Sequence, residues 1–113
     1  MLTLADARRL ALSFPGATEE PHHGMPSFRV RGKIFATVPD DGHIRVMVDA
    51  DVATAVAAAE PDAFEELRWG AKLAGVTVDL AHADPGAVGE LLEQAWRQRA
   101  TRKLIAEYDA RDA

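Results

Sequence analysis

The run Glu19–Ala36, EEPHHGMPSFRVRGKIFA, gathers two adjacent carboxylates, two adjacent histidines and three alternating cations. Those types permit metal binding, acid–base catalysis or phosphate contact. A metal needs several ligands converging on one point. His22 and His23 are neighbours, and in an extended chain neighbours point to opposite faces. His43 and His82 lie in other segments and no HExxH spacing occurs, so no metal site is expected. Glu19 and Glu20, with His23, have the types of a paired-carboxylate acid–base site, but adjacent acids before Pro21 read first as a solvated turn. Nucleophilic catalysis fares worse. The chain has no cysteine, and its two serines, Ser13 and Ser27, stand outside any GxSxG context. Its glycines are too scattered for a phosphate-cradling loop. No catalytic residue and no cofactor are expected.

The cations make the stronger pattern. Arg29, Arg31 and Lys33 recur at i, i+2 and i+4, which in one strand sets them on one face at intervals of roughly 6 to 7 Å. Arg45, in a later strand, extends the patch. Such a ribbon follows phosphates, which supply affinity more than sequence choice. Arg99, Arg102 and Lys103 form a second basic cluster beside Arg97. The competing reading is a solvated outer face, with Lys and Arg guarding an exposed strand against aggregation. One other residue bears on binding. Trp69 reads as half-buried at the core rim, or as the wall of a groove shared with His22 and His23 that takes a small ligand or a protein partner.

Periodicity supplies the elements that position these residues. Thr3 and Asp6 mark a helix start, and Leu4, Ala7, Leu10, Ala11 and Phe14 recur at helical spacing until Pro15-Gly16. Phe28, Val30 and Ile34 alternate with the cations around Arg31-Gly32, a hairpin continued by Phe35-Ala36-Thr37-Val38 with Phe35 out of phase. After Pro39-Asp40-Asp41-Gly42, Ile44, Val46 and Val48 mark another strand. A helix follows from Asp49 or Asp51 to Glu60. Pro61–Leu67 reads as one more helical turn, and Val76, Val78 and Leu80 as a late strand. Asp84-Pro85 opens a helix with the stripe Val88, Leu91, Leu92, Ala95 and Trp96. Continuing that helix would bury Arg99, Arg102 and Lys103 at high cost, so it breaks near Ala100-Thr101. A last short helix then packs Leu104, Ile105 and Tyr108. Strands joined by short turns pair antiparallel. The expectation is one α+β domain over residues 1–113, helices packed on an antiparallel sheet.

Composition narrows the classes. A chain of 113 residues supports one modest core. The net charge of −5 weighs against a dedicated polyanion binder. No apolar run approaches the roughly 20 residues of a membrane span. Arg8, Arg9 and Asp6 interrupt what would be a secretory signal, so a cytoplasmic protein without membrane contact is expected.

The segments FPGATEEPHHGMPSFRVRGKIFA, GVTVDLA and AWRQRATRKL resemble the MmcQ/YjbR family of small bacterial proteins, from Phe14 to about Leu104. The resemblance implies an α+β double-wing fold similar to secretion-chaperone and frataxin-like domains, a non-enzymatic role and DNA as partner. Under it Arg29, Arg31, Lys33 and Arg45 are the expected phosphate contacts, with Arg99, Arg102 and Lys103 secondary. The alternative is a protein- or small-ligand-binding module around His22, His23 and Trp69.

Overall fold

Helix α1 (Leu4–Leu12) begins where Thr3 and Asp6 close a capping box. Thr3 Oγ1 accepts from the Asp6 amide at 3.1 Å, and the Thr3 amide donates to Asp6 Oδ2 at 3.0 Å. The computed structural model describes residues 2–111. After α1 the chain runs through β1 (Thr18–His22), β2 (Met25–Val30), β3 (Lys33–Asp40), β4 (His43–Val46), α2 (Ala50–Ala59), β5 (Phe64–Trp69), β6 (Lys72–Asp79), α3 (Pro85–Arg97) and α4 (Arg102–Ala110). The strands form one antiparallel sheet in the order β1-β2-β3-β4-β6-β5.

Two-residue turns make the first three strands a meander. His23-Gly24 has φ of 50° and 81°, and Arg31-Gly32 has 56° and 75°. Positive φ at both central residues suits the right-handed strand twist, and glycine takes the second position without steric cost. Strand β1 replaces the expected solvated turn at Glu19–Pro21. It lies at the sheet edge, where a proline costs no ladder bond. A bulge accounts for the phase break at Phe35. Phe28 pairs with Ala36 but Arg29 with Ile34, leaving Phe35 as the extra residue and letting both Phe35 and Ala36 turn inward at 0 % exposure.

Residues 61–67 are not the expected helical turn. Phe64–Trp69 is strand β5, paired with β6. Phe64 and Leu67 mimic helical spacing, but the positions facing α2 are Phe64 and Glu66, and Glu66 accepts from Thr54 Oγ1 at 3.0 Å. A carboxylate satisfied by a helix hydroxyl conceals the strand alternation. The late strand also starts earlier than expected, at Lys72.

One sheet face packs against helices. Phe28, Val30, Ile44, Val46, Val76 and Val78 are buried there with the α3 stripe Val88, Leu91, Leu92, Ala95 and Trp96. Asp84 caps α3 through the Ala87 amide, and Thr101 caps α4 through the Leu104 amide. The helix breaks between Arg97 and Arg102, which leaves Arg102 and Lys103 exposed, while Arg99 is half-buried. Phe14 stacks on Trp96 at 5.4 Å and meets Tyr108 at 5.3 Å, joining α1, α3 and α4. Among the described residues no helix is long and apolar enough to cross a membrane.

Candidate functional site

The second sheet face carries no helix layer, and strand register sets one polar row across it. Glu20 pairs with Ser27, Ser27 with Thr37, Thr37 with Arg45, Arg45 with Thr77, and Thr77 with Glu65. Each strand contributes one residue. Directly opposed side chains stand about 4.5–5.5 Å apart at Cβ, so Arg45 is flanked at contact distance by two threonines. Its Nε is buried, and it is the buried side-chain nitrogen that has no hydrogen-bond partner among the described residues. No ion pair among the described residues includes Arg45.

Arg45 lines a cavity of about 730 Å³. His22, His23 and Met25 close it at the β1–β2 hairpin, and Ile34 and Thr37 supply part of the sheet wall. Met47, Val48, Asp49 and Ala50 follow β4, Trp69, Lys72, Leu73 and Ala74 come from the β5–β6 hairpin, and Gln98 and Arg99 from the end of α3. Cationic Arg45, Lys72 and Arg99 thus face one carboxylate, Asp49. Asp49 accepts from Gln98 Nε2 at 2.9 Å. Arg99 donates to the carbonyls of Met47 at 3.1 Å and Ala95 at 2.8 Å. Burial lowers the Arg99 pKa, and Asp49 opposes that shift.

The structure brings His22, His23, Trp69, Arg45 and Arg99 to one cavity. It does not bring the hairpin cations together. Arg29 is half-buried on the open face, its Nε donating to Ser27 Oγ at 3.1 Å and its Nη2 to the Pro21 carbonyl at 3.3 Å. Arg31 occupies the turn and donates to the Arg99 carbonyl at 3.4 Å. Lys33 pairs with inward-facing Val30 and so points to the other side from Arg29. The expectation of a shared face fails because the i, i+2, i+4 rule needs an uninterrupted strand, and the chain reverses at Arg31-Gly32. Arg102 and Lys103 are exposed in the first turn of α4, apart from the cavity lining.

The acids diverge as well. Glu19 pairs with inward-facing Phe28 and is bound by Arg8 at 2.8 Å, whereas Glu20 lies on the open face and accepts from Thr18. They form no paired-carboxylate site. The histidines do not diverge as an extended chain would have them. His23 takes the turn conformation, and the two rings sit 4.3 Å apart, edge to face. No group of three or more metal-ligating side chains forms among the described residues. Trp69 is 56 % exposed rather than half-buried, because it ends β5 beside the Gly70-Ala71 turn.

The YjbR family model matches residues 12–98, most of the chain. The chain belongs to the YjbR family. The match runs from the end of α1 to the end of α3, so it includes the whole sheet and nearly all of the cavity wall. A crystal structure of the Deinococcus radiodurans protein DR2400, described by the domain name DUF419, is similar with a TM-score of 0.71 and 23% identity, covering 85% of this chain and 77% of that one. At that identity the likeness concerns the fold, and it agrees with the antiparallel α+β architecture of this YjbR chain. No curated protein matches the sequence significantly.

Sequence reasoning missed Thr37 and Thr77 as the cross-strand neighbours of Arg45, and Lys72 and Asp49 as parts of the same cavity wall. Alternation placed Arg45 outward in its strand, but no local signal says that β6 rather than β5 lies beside β4.

Proposed function

We propose that this YjbR-family protein is a non-enzymatic binding module that holds a small organic molecule in the cavity on the open sheet face. The observation that carries this reading is the cavity itself. Its volume falls within the roughly 300–1,000 Å³ of ligand sites, and its wall mixes Met25, Ile34, Met47, Leu73 and Trp69 with a few polar groups. Binding is favoured over catalysis because both serine hydroxyls are engaged by backbone, Ser13 with the Leu10 carbonyl at 2.6 Å and Ser27 with the Glu20 carbonyl at 2.7 Å.

A duplex-binding ribbon has less support, since Arg29 and Arg31 donate to acceptors of the same chain and Lys33 faces away from Arg29. The test is an amide-shift titration with 2-naphthoate and 2-naphthamide, alongside anisotropy of a labelled DNA duplex at two salt concentrations. Shifts clustered at Met25, Thr37, Met47 and the Trp69 indole are expected. Shifts confined to the helix layer, or none, overturn the cavity reading. Duplex binding that weakens steeply with salt, with a slope of log affinity against log salt of roughly one unit per neutralised phosphate, replaces it with the DNA reading.

A further inference from the structure

We propose that the ligand of this cavity is an organic anion whose oxyanion group, a carboxylate or a phosphate, seats on Arg45, its apolar body lying toward Trp69 and Met47. The inference rests on the binding role proposed above and adds the charge and the anchor. Three features point to it.

The first is an uncompensated charge. Every other arginine that is not fully solvent-facing has an internal acceptor: Arg8 has Glu19, Arg29 has Ser27 and a carbonyl, Arg97 has Glu93 and Asp109, and Arg99 has two carbonyls. Among the described residues no side-chain hydrogen bond or ion pair engages Arg45, and its Nε is shut off from solvent. A buried donor without an acceptor is costly, and more so on a charged group. A planar fork of this kind matches a carboxylate or a phosphate in bidentate geometry.

The second is the setting. Thr37 and Thr77 flank Arg45 in register, and each carries a hydroxyl that donates to or accepts from a bound oxyanion. The row's carboxylates stand further off, Glu65 two strands away and Glu20 three. With strands about 4.8 Å apart, that places Glu65 roughly 10 Å from Arg45.

The third is the sign of the cavity. The whole chain carries −5, yet the cavity gathers Arg45, Lys72 and Arg99 against Asp49 alone. Low-dielectric walls concentrate that local excess, which favours anions over neutral or cationic ligands. Asp49 is already engaged by Gln98 and couples to Arg99, so it does not neutralise Arg45.

The experiment compares three probes of one shape on the full chain by calorimetry: 2-naphthoate, 2-naphthyl phosphate and the neutral isostere 2-naphthamide. At least one anion is expected to bind about tenfold more tightly than the amide, the worth of one charge-assisted contact. Arg45→Gln is expected to shrink that ratio below about threefold while retaining amide binding. Whichever anion is preferred identifies the group as carboxylate or phosphate. Equal affinity for anions and amide overturns this inference and leaves the cavity's binding role standing. Binding of none overturns both. A preference that survives in Arg45→Gln shows that the seat is elsewhere and also overturns it. Should that variant fail to fold, the Arg45 Nε–H resonance of the wild-type chain decides: it must move with the anion and hold still with the amide.

Discussion

Trp96 Nε1 donates a 3.0 Å hydrogen bond to the carbonyl oxygen of Pro15, 81 residues earlier in the chain. Both groups are buried, and the bond fixes α3 against the turn that ends α1. It also sets the indole against Phe14 and Tyr108. One side chain therefore registers three helices against the sheet.

Replacing that donor should be felt directly. Trp96→Phe keeps much of the aromatic packing but strands the Pro15 carbonyl. The expected loss is about 1–3 kcal/mol from the unmade bond. Trp96→Ala adds a cavity and should cost about 3–5 kcal/mol. Urea denaturation followed by circular dichroism checks both, and a Trp96→Phe variant as stable as wild type would remove the role assigned to this bond.

Gly75 of β6 lies against the backbone at the end of β4. A Cβ added there would collide with the Val46 carbonyl and approach Met47 Cα at 3.1 Å, both backbone atoms that cannot yield locally. Gly75→Ala should destabilise by about 1–3 kcal/mol or more. Hydrogen exchange should rise first at the β4–β6 pairs, Ile44–Val78 and Val46–Val76. Because Met47 and Ala74 line the cavity, probe binding should weaken in step.

Arg97 ties α4 to α3. It contacts Glu93 at 2.8 Å, pairs with Asp109 and lies 5.4 Å above the Tyr108 ring. Asp109 first and Glu93 second raise its pKa above the ordinary arginine value. The group is about one-third exposed, so screening limits its worth. Arg97→Met should cost roughly 1 kcal/mol and loosen α4 selectively. Native-state hydrogen exchange along Leu104–Tyr108 is the measurement, and unchanged protection there would count against the tie.

Acid should destabilise the fold through four carboxylates held below the ordinary value of 3.8. Asp6 is lowered chiefly by the Thr3 backbone amide, Asp40 by a hydrogen bond from His43, Asp79 by one from His82 and Asp109 by one from Arg97. A depressed pKa in the folded state means that each carboxylate stabilises above 3.8 and loses that contribution as pH falls through its lowered value. The urea midpoint should therefore be level from pH 6 to 5 and fall between pH 4 and 2. Asp79→Asn should make the fall shallower, and an identical acid profile in that variant would rule Asp79 out as a contributor.

Much of the architecture was legible in the residues because it is local. Thr3 with Asp6, Asp84-Pro85 and Thr101 mark helix starts by side chains that reach only three residues along the chain. The α3 stripe follows from helical spacing, and a break near Ala100-Thr101 from the cost of burying cations; α3 ends a few residues earlier, at Arg97. Strand β5 was hidden because Glu66 occupies an inward position and is satisfied by Thr54, a residue twelve positions away. The bulge at Phe35 was visible as a broken alternation but not as a bulge, since its partner strand defines it.

The sequence by itself determined the fold class, the caps of α1, α3 and α4, the turns at Arg31-Gly32 and Asp41-Gly42, and most of the residues that enter the core. Those depend on backbone conformation and burial, which short-range spacing encodes. Tertiary structure decided the site. The alignment of Ser27, Thr37, Arg45 and Thr77 depends on strand order, and the sharing of one cavity by His22 and Trp69 on the tertiary placement of strands at opposite edges of the sheet. The dispersal of Arg29, Arg31 and Lys33 depends on a turn that reverses the chain between them. Side chains from different strands become neighbours only when register and sheet order are set, and no run of adjacent residues carries that information.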